Sequence, residues 1–223
     1  MNVVNFLKKT ALVASMTMLV SFSASANTLL WNTGVTDSGK GTEGSVDKHY
    51  TLNGNAASYV ALAVNGAWLA DSASNASAWI TPTQNPNDGG LDPFSNGTYT
   101  YTQTFNLTGY DASKTSFSAI WAADNNASVY LNGSLLSSIT GGTYSNFNSF
   151  SSFSANSGFV NGLNTLSFVV TNLAQNGGNP SGLRVEFSNV SVAAVPEPKT
   201  NAMLLSGIAL MGLVVRRRKA LVA

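Results

Sequence analysis

Apolar and polar residues alternate along Tyr99-Thr100-Tyr101-Thr102-Gln103-Thr104-Phe105-Asn106-Leu107. Successive side chains of a strand point to opposite faces, so this period of two predicts a strand with one buried face. The same argument predicts strands over Ser116–Ala122, Asn164–Thr171 and Leu183–Val192, with shorter ones at Ser58–Val64 and Ala78–Thr81. Asn132-Gly133 stands between Ser128-Val129-Tyr130-Leu131 and Ser134-Leu135-Leu136. A type I′ turn needs positive φ at both central residues, which Asn and Gly tolerate best, so these pieces predict a hairpin. Gly, Asn-Gly and Asn-Pro interrupt the region from 27 to 195 at short intervals, and long helical periodicity is missing from it. Many short strands with such punctuation predict an all-β domain, a jelly roll or β-sandwich. A β-helix is the alternative, but no fixed-period repeat supports it.

The two ends are patterned differently. Met1 to Ala26 has a secretory layout: Lys8 and Lys9, then an apolar run from Ala11 to Phe22, then the small residues Ala24-Ser25-Ala26. This predicts a signal peptide cut between Ala26 and Asn27. At the other end, Pro196-Glu197-Pro198 precedes Ala202–Val215, fourteen residues without a charge, and then Arg216-Arg217-Arg218-Lys219. The prolines fix φ and block pairing, which predicts an extended, accessible triplet. As a helix the apolar run spans about 21 Å, short of a hydrocarbon core of about 30 Å. The basic cluster changes that weighing, because snorkelling cations extend the reach and hold the end on the cytoplasmic side. The expected organisation is therefore a signal peptide at 1–26, a β-domain at 27–195, and a tail at 196–223 containing a short transmembrane helix.

In this order the tail resembles the PEP-CTERM sorting signal of Gram-negative bacteria. The residues that carry the resemblance are Val195-Pro196-Glu197-Pro198, the apolar segment through Val215, and Arg216-Arg217-Arg218 with Lys219. It implies recognition by an exosortase, a membrane-embedded protease or transpeptidase that cuts near the triplet. It further implies a membrane-associated intermediate, then release of the domain toward the cell surface or an exopolysaccharide matrix. The catalytic residues of that step belong to the exosortase.

Charge and composition narrow the domain's own role. The whole chain is +1, but residues 27–195 hold four basic against nine acidic residues, a net of −5. A weakly acidic domain with no basic stripe is a poor partner for nucleic acid. No cysteine is present, which removes disulfides, thiol nucleophiles and zinc–thiolate sites and leaves stability to the apolar core.

No catalytic set stands out. His49, the single histidine, lies in Asp47-Lys48-His49-Tyr50, away from any nucleophile elbow, and is expected to be structural or superficial. Asp88, Asp92, Asp124 and Glu186 are available as paired carboxylates for glycoside hydrolysis, with nothing to single out one pair. The expectation is a protein that is not an enzyme, with a polysaccharide-acting hydrolase as the alternative. Asn85-Pro86-Asn87-Asp88-Gly89-Gly90-Leu91-Asp92 collects oxygen ligands at short spacing, so Asp88 and Asp92 are the candidate calcium ligands, although an EF-hand's final glutamate is absent. Asp37, Glu43 and Asp47 form a second acidic stretch, read as a solvated loop or an ion site.

Trp79-Ile80-Thr81-Pro82, Trp121-Ala122-Ala123-Asp124-Asn125-Asn126, Val129-Tyr130-Leu131-Asn132-Gly133 and Gly162-Leu163-Asn164-Thr165-Leu166 together resemble galactose-binding-like jelly rolls, from about Trp79 to Phe187. The resemblance implies the fold and, more weakly, carbohydrate as ligand. Sugar binding calls for exposed aromatic platforms, for which Trp68, Trp79 and Tyr144 are the candidates. Trp68 has turn-like neighbours and is expected to be exposed, whereas Trp79 and Trp121 suit the core. Tyr144, Phe147 and Phe150 make the stretch from Gly141 to Ser157 a further platform.

Overall fold

The computed structural model describes residues 29–62, 66–70, 77–87, 90–195 and a C-terminal helix at 198–220. Its strands are β1 (Val35–Thr36), β2 (Gly39–Lys40), β3 (Val46–Leu52), β4 (Ala56–Val60), β5 (Ile80–Thr81), β6 (Gly97–Asn106), β7 (Ser116–Asp124), β8 (Asn126–Leu131), β9 (Ser134–Ile139), β10 (Ser151–Ala155), β11 (Leu163–Asn172) and β12 (Gly182–Ser191). Helix α1 is Pro198–Ala220. β1 and β2 form a small hairpin of their own. The other ten form one sheet in the order β10-β7-β12-β5-β4-β3-β6-β11-β8-β9, antiparallel throughout. The edge strands β9 and β10 approach each other, so the sheet curls nearly closed, as in a jelly-roll sandwich.

The curl follows from the alternation. Tyr101, Gln103 and Phe105 on β6 and Leu166, Phe168 and Val170 on β11 point inward and are buried, while Thr102, Thr104, Thr165 and Ser167 face out. From the opposite half come Phe117, Ala119 and Trp121 of β7 and Phe153 of β10. Trp121 and Phe153 each meet Phe168 with ring centroids 6.0 Å apart. Burying each such side chain contributes about 1.5–3 kcal/mol, which a chain without disulfides requires.

The outer face of β7 and β12 is also covered. Ala61, Trp68 and Trp79 pack over it, in a second cluster with Ala122 and Phe147. Arg184 lies under this cover and is fully buried. Its Nε donates to Ser77 Oγ (2.6 Å), one terminal nitrogen donates to Ala70 O (2.9 Å), and the other pairs with Glu186 Oε1 (3.2 Å). Phe150 stacks on the guanidinium at 5.2 Å. The platform expected between Gly141 and Ser157 is thus divided. Phe147 is packed and Phe150 covers Arg184, β10 occupies Ser151–Ala155, and Tyr144 alone of the three stands out into solvent.

Within the ten-stranded sheet, β3 and β10 lack a sequence signal. β3 carries Asp47, Lys48 and His49, yet Asp47 is buried and saturated by backbone N–H donors from Gly34 (2.7 Å), His49 (2.7 Å) and Tyr50 (3.1 Å). Asp47 anchors β3 and Glu43 pairs with Lys40 at 3.4 Å. His49 stacks on Trp31, centroids 3.9 Å apart and nearly parallel.

Candidate functional site

Loops from several strand ends meet at one end of the sandwich. The Asp124–Asn125 junction between β7 and β8, the loop 140–150 and the loop 173–181 border a cleft of about 170 Å³ there, with Ala67 and Trp68 on its fourth side. Asn125 ties these loops together. Its Nδ2 donates to Thr143 O (2.7 Å), and its Oδ1 accepts from the Leu173 N–H (2.7 Å). Asn146, at φ +71°, donates to Asn125 O (2.9 Å). Asn179 donates to the carbonyls of Leu91 (2.7 Å) and Leu173 (3.0 Å) and so adds the 90–92 segment to the assembly. Buried amides satisfied in this way fix loops that have no ladder of their own.

Asp124 is the charged group in this cleft. It is 4 % exposed, and its Oδ2 accepts from Trp68 Nε1 at 2.8 Å. Burial disfavours the carboxylate and pushes its pKa up to about 7, against the lowering effect of that hydrogen bond. No lysine, arginine or histidine lies among the described residues of the cleft wall. The nearest strand cation, Arg184, sits opposite Ala122 and turns to Ser77, Glu186 and the Ala70 carbonyl.

The residues proposed from sequence separate accordingly. Trp68 is buried rather than exposed. It packs on Trp79 with centroids 4.4 Å apart and borders the cleft with its indole N–H bound to Asp124. Trp79 is completely buried and donates Nε1 to Leu69 O (2.9 Å), so it is no platform. Tyr144 is 76 % exposed at the cleft rim. Asp92 Oδ2 accepts from Tyr99 Oη (2.9 Å) and Asn172 Nδ2 (2.8 Å). Asp88 lies outside the described residues. No group of three or more metal-ligating side chains occurs among the described residues. Of the four carboxylates weighed for hydrolysis, Glu186 is spent on Arg184 and Ser77, and Asp124 alone among the described ones lines the cleft. Asp124 was legible only as one of four; the fold singles it out.

The tail is a separate functional segment. Pro198 is the first residue of α1, a position where its missing N–H costs nothing, rather than the end of an extended triplet. Pro196 and Glu197 lie outside the described residues, as do Ala26 and Asn27. The helix expected over the apolar run forms, and Met203, Leu204, Leu205, Ile208, Leu210, Met211, Leu213, Val214 and Val215 are all exposed on it. Arg216 and Arg217 are exposed near its end, and Arg218 is within it. Among the described residues no helix is long and apolar enough to cross a membrane, so the short transmembrane helix expected in the tail is not borne out: the uncharged run is only fourteen residues and the basic cluster follows at once.

An all-β sandwich with a terminal cleft, followed by an exposed apolar helix ending in arginines, defines a sorted domain. Residues 194–219 match the PEP-CTERM protein-sorting motif, so the chain carries the mark of exosortase-type export with a membrane-anchored intermediate. No curated protein matches the chain. Among solved structures it is similar to a β-glucosidase from Kluyveromyces marxianus (9 % identity, TM-score 0.32), covering 52 % of this chain and 14 % of that one. It is similar also to an FMN-binding β-glucuronidase from Facaelibacterium prausnitzii L2-6 (20 %, TM-score 0.34; 62 % and 21 % covered). A family 35 carbohydrate-binding module from an environmental isolate is a third (11 %, TM-score 0.27; 48 % and 77 % covered). The chain spans less than a quarter of the first two. At TM-scores this low the likeness carries no argument about ligand or chemistry.

Proposed function

We propose that this is a non-enzymatic surface or extracellular-matrix protein of a Gram-negative bacterium. Its sandwich serves a structural or adhesive role, and its cleft contacts exopolysaccharide. The observation that carries the proposal is the sorting motif at 194–219, whose first residues are the ones through which the sandwich's C-terminal end is still paired, Ala194 with Tyr110 and Val195 with Gly109. The cleft adds a recessed carboxylate beside an exposed tyrosine and amide groups, a set suited to hydroxylated ligands. The test is fractionation of the producing strain followed by co-sedimentation with its own exopolysaccharide. Protein that leaves the membrane and sediments with the polysaccharide supports the proposal. Protein that leaves the membrane but stays in solution removes the adhesive part.

A hydrolase is the second reading, favoured by one observation: a carboxyl group titrating near neutrality is suited to general acid catalysis. Hydrolysis of that type uses two carboxyl groups, and the described cleft wall supplies one. Turnover of host exopolysaccharide that disappears in Asp124→Asn would establish this reading. Absence of turnover retires it.

A further inference from the structure

Asp124 has a carboxylate oxygen left over. Oδ2 is held by the Trp68 indole, and no other side-chain hydrogen bond or ion pair to Asp124 occurs among the described residues. Trp68 cannot swing away to relieve it, because its ring is wedged between Trp79 and the backbone of Gly182. The remaining wall near it is neutral: the Asn125 amide is held by Thr143 and Leu173, and Tyr144 and Phe147 present aromatic surface. A buried carboxylate with one neutral donor on one side and no cation in its wall is matched best, in its ionised form, by a positive group entering the cleft. Aromatic rims attract the same kind of group.

The geometry points to a primary ammonium as the group the cleft selects, carried by an amino sugar unit of the polysaccharide, with Asp124 as its counter-ion and Tyr144 flanking it. This inference rests on the polysaccharide reading above and sharpens it to the cationic class. The small cleft suits one sugar unit rather than a longer segment, so recognition falls on a single residue of the chain. Ammonium and neutral hydroxyl donors differ most in how they couple to the state of Asp124. A neutral hydroxyl is served by either form of the carboxyl, whereas a cation needs the ionised form.

The experiment is calorimetric titration of the full chain, held in a detergent without sugar headgroups, with glucosamine, N-acetylglucosamine, glucose and propylamine. Glucosamine is expected to bind about tenfold or more tightly than glucose and N-acetylglucosamine, the scale of one charge-assisted hydrogen bond. Propylamine separates the sources of the charge: weaker binding than glucosamine assigns the site to an amino sugar, and equal binding overturns the sugar part. The alkyl ammonium stays charged from pH 6 to pH 8, while Asp124 goes from mostly protonated to mostly ionised. Propylamine affinity should therefore rise about tenfold over that interval. A flat profile overturns the inference.

Asp124→Asn should abolish the preference for glucosamine. If that variant does not fold, Tyr144→Ala at the exposed rim should weaken glucosamine binding several-fold without altering the melting temperature. Equal binding of all three sugars would sink the ammonium preference and leave polysaccharide contact standing. Binding of none would sink both.

Discussion

Asp124 sits where ionisation is costly, and that cost is measurable as a pH dependence of stability. Below the unfolded value of 3.8 the carboxyl is protonated in both states. Between 3.8 and about 7 the folded chain keeps a proton that the unfolded chain has lost. Stability therefore falls as pH rises through this window, by about 1.4 kcal/mol per unit while the difference lasts. Above pH 7 both states are ionised and the loss stops, at roughly 4 kcal/mol in total. Asp47, also raised by burial, tilts the curve in the same direction, so some slope should survive without Asp124. Asp124→Asn should be more stable than the parent at pH 8, on the order of 2–4 kcal/mol, and nearly equal to it at pH 4. Urea unfolding at pH 4, 6 and 8 reads this directly. Parallel curves for the two proteins would show that Asp124 is not the buried acid.

At the level of elements, two glycines separate conformational demand from lack of space. Gly133 follows Asn132 in the β8–β9 turn with φ +84° and +50°, the pair of positive angles that Asn-Gly predicted, and a Cβ on Gly133 would meet nothing within 4 Å. Gly133→Ala should cost about 1 kcal/mol through backbone strain alone. Gly182 needs no special φ, but a Cβ there would lie 2.7 Å from Trp68 Cη2 and 3.2 Å from Ile80 O. Gly182→Ala should cost about 1–3 kcal/mol by overpacking. It should also draw the indole off Asp124 and raise that carboxyl's pKa further, since the lost hydrogen bond favoured the charged form. Thermal melts with a tryptophan fluorescence titration follow both effects. Only the second variant should move the titration.

The same contrast explains how much of the fold was legible. β6, β11 and the β8–β9 hairpin show in the sequence because each has one wet face, and wet faces write a period of two; β7 shows through Ser116–Ile120, before its outer face is covered, and β12 through its alternating Leu183, Val185 and Phe187. β3 does not, because Asp47 is buried on backbone donors and the charges around it mask the alternation. β10 was hidden in a Ser- and Phe-rich stretch that reads as loop. Trp68, among Asn65, Gly66 and Ala67, reads as exposed. Its burial comes from a crossing over β7 and β12, and no local pattern encodes a contact 56 residues away. The cleft is a product of such crossings, so its residues were visible as types but not as a site.

For the whole molecule, the boundary between sandwich and tail decides what processing can leave behind. Residues just before the triplet are part of the fold: Asp111 N–H donates to Ala193 O (2.8 Å), Tyr110 bridges Ala194, and Val195 N–H donates to Gly109 O (2.8 Å). A protease needs an extended, unpaired segment, and among the described residues Val195 is the last one paired to the sandwich. Among the described residues no hydrogen bond or ion pair joins α1 to the sandwich, so removal of the helix should leave the core untouched. Mature protein from the extracellular fraction should therefore end at or after Val195, and its melting temperature should match that of the full chain in detergent within about 2 °C, less than a 1 kcal/mol change would produce. Intact-mass measurement and a melt on the same sample check both statements. A terminus before Ala193 would remove the 109–111 pairing, so such a product with an unchanged melting temperature would mean that this pairing does not contribute to the fold.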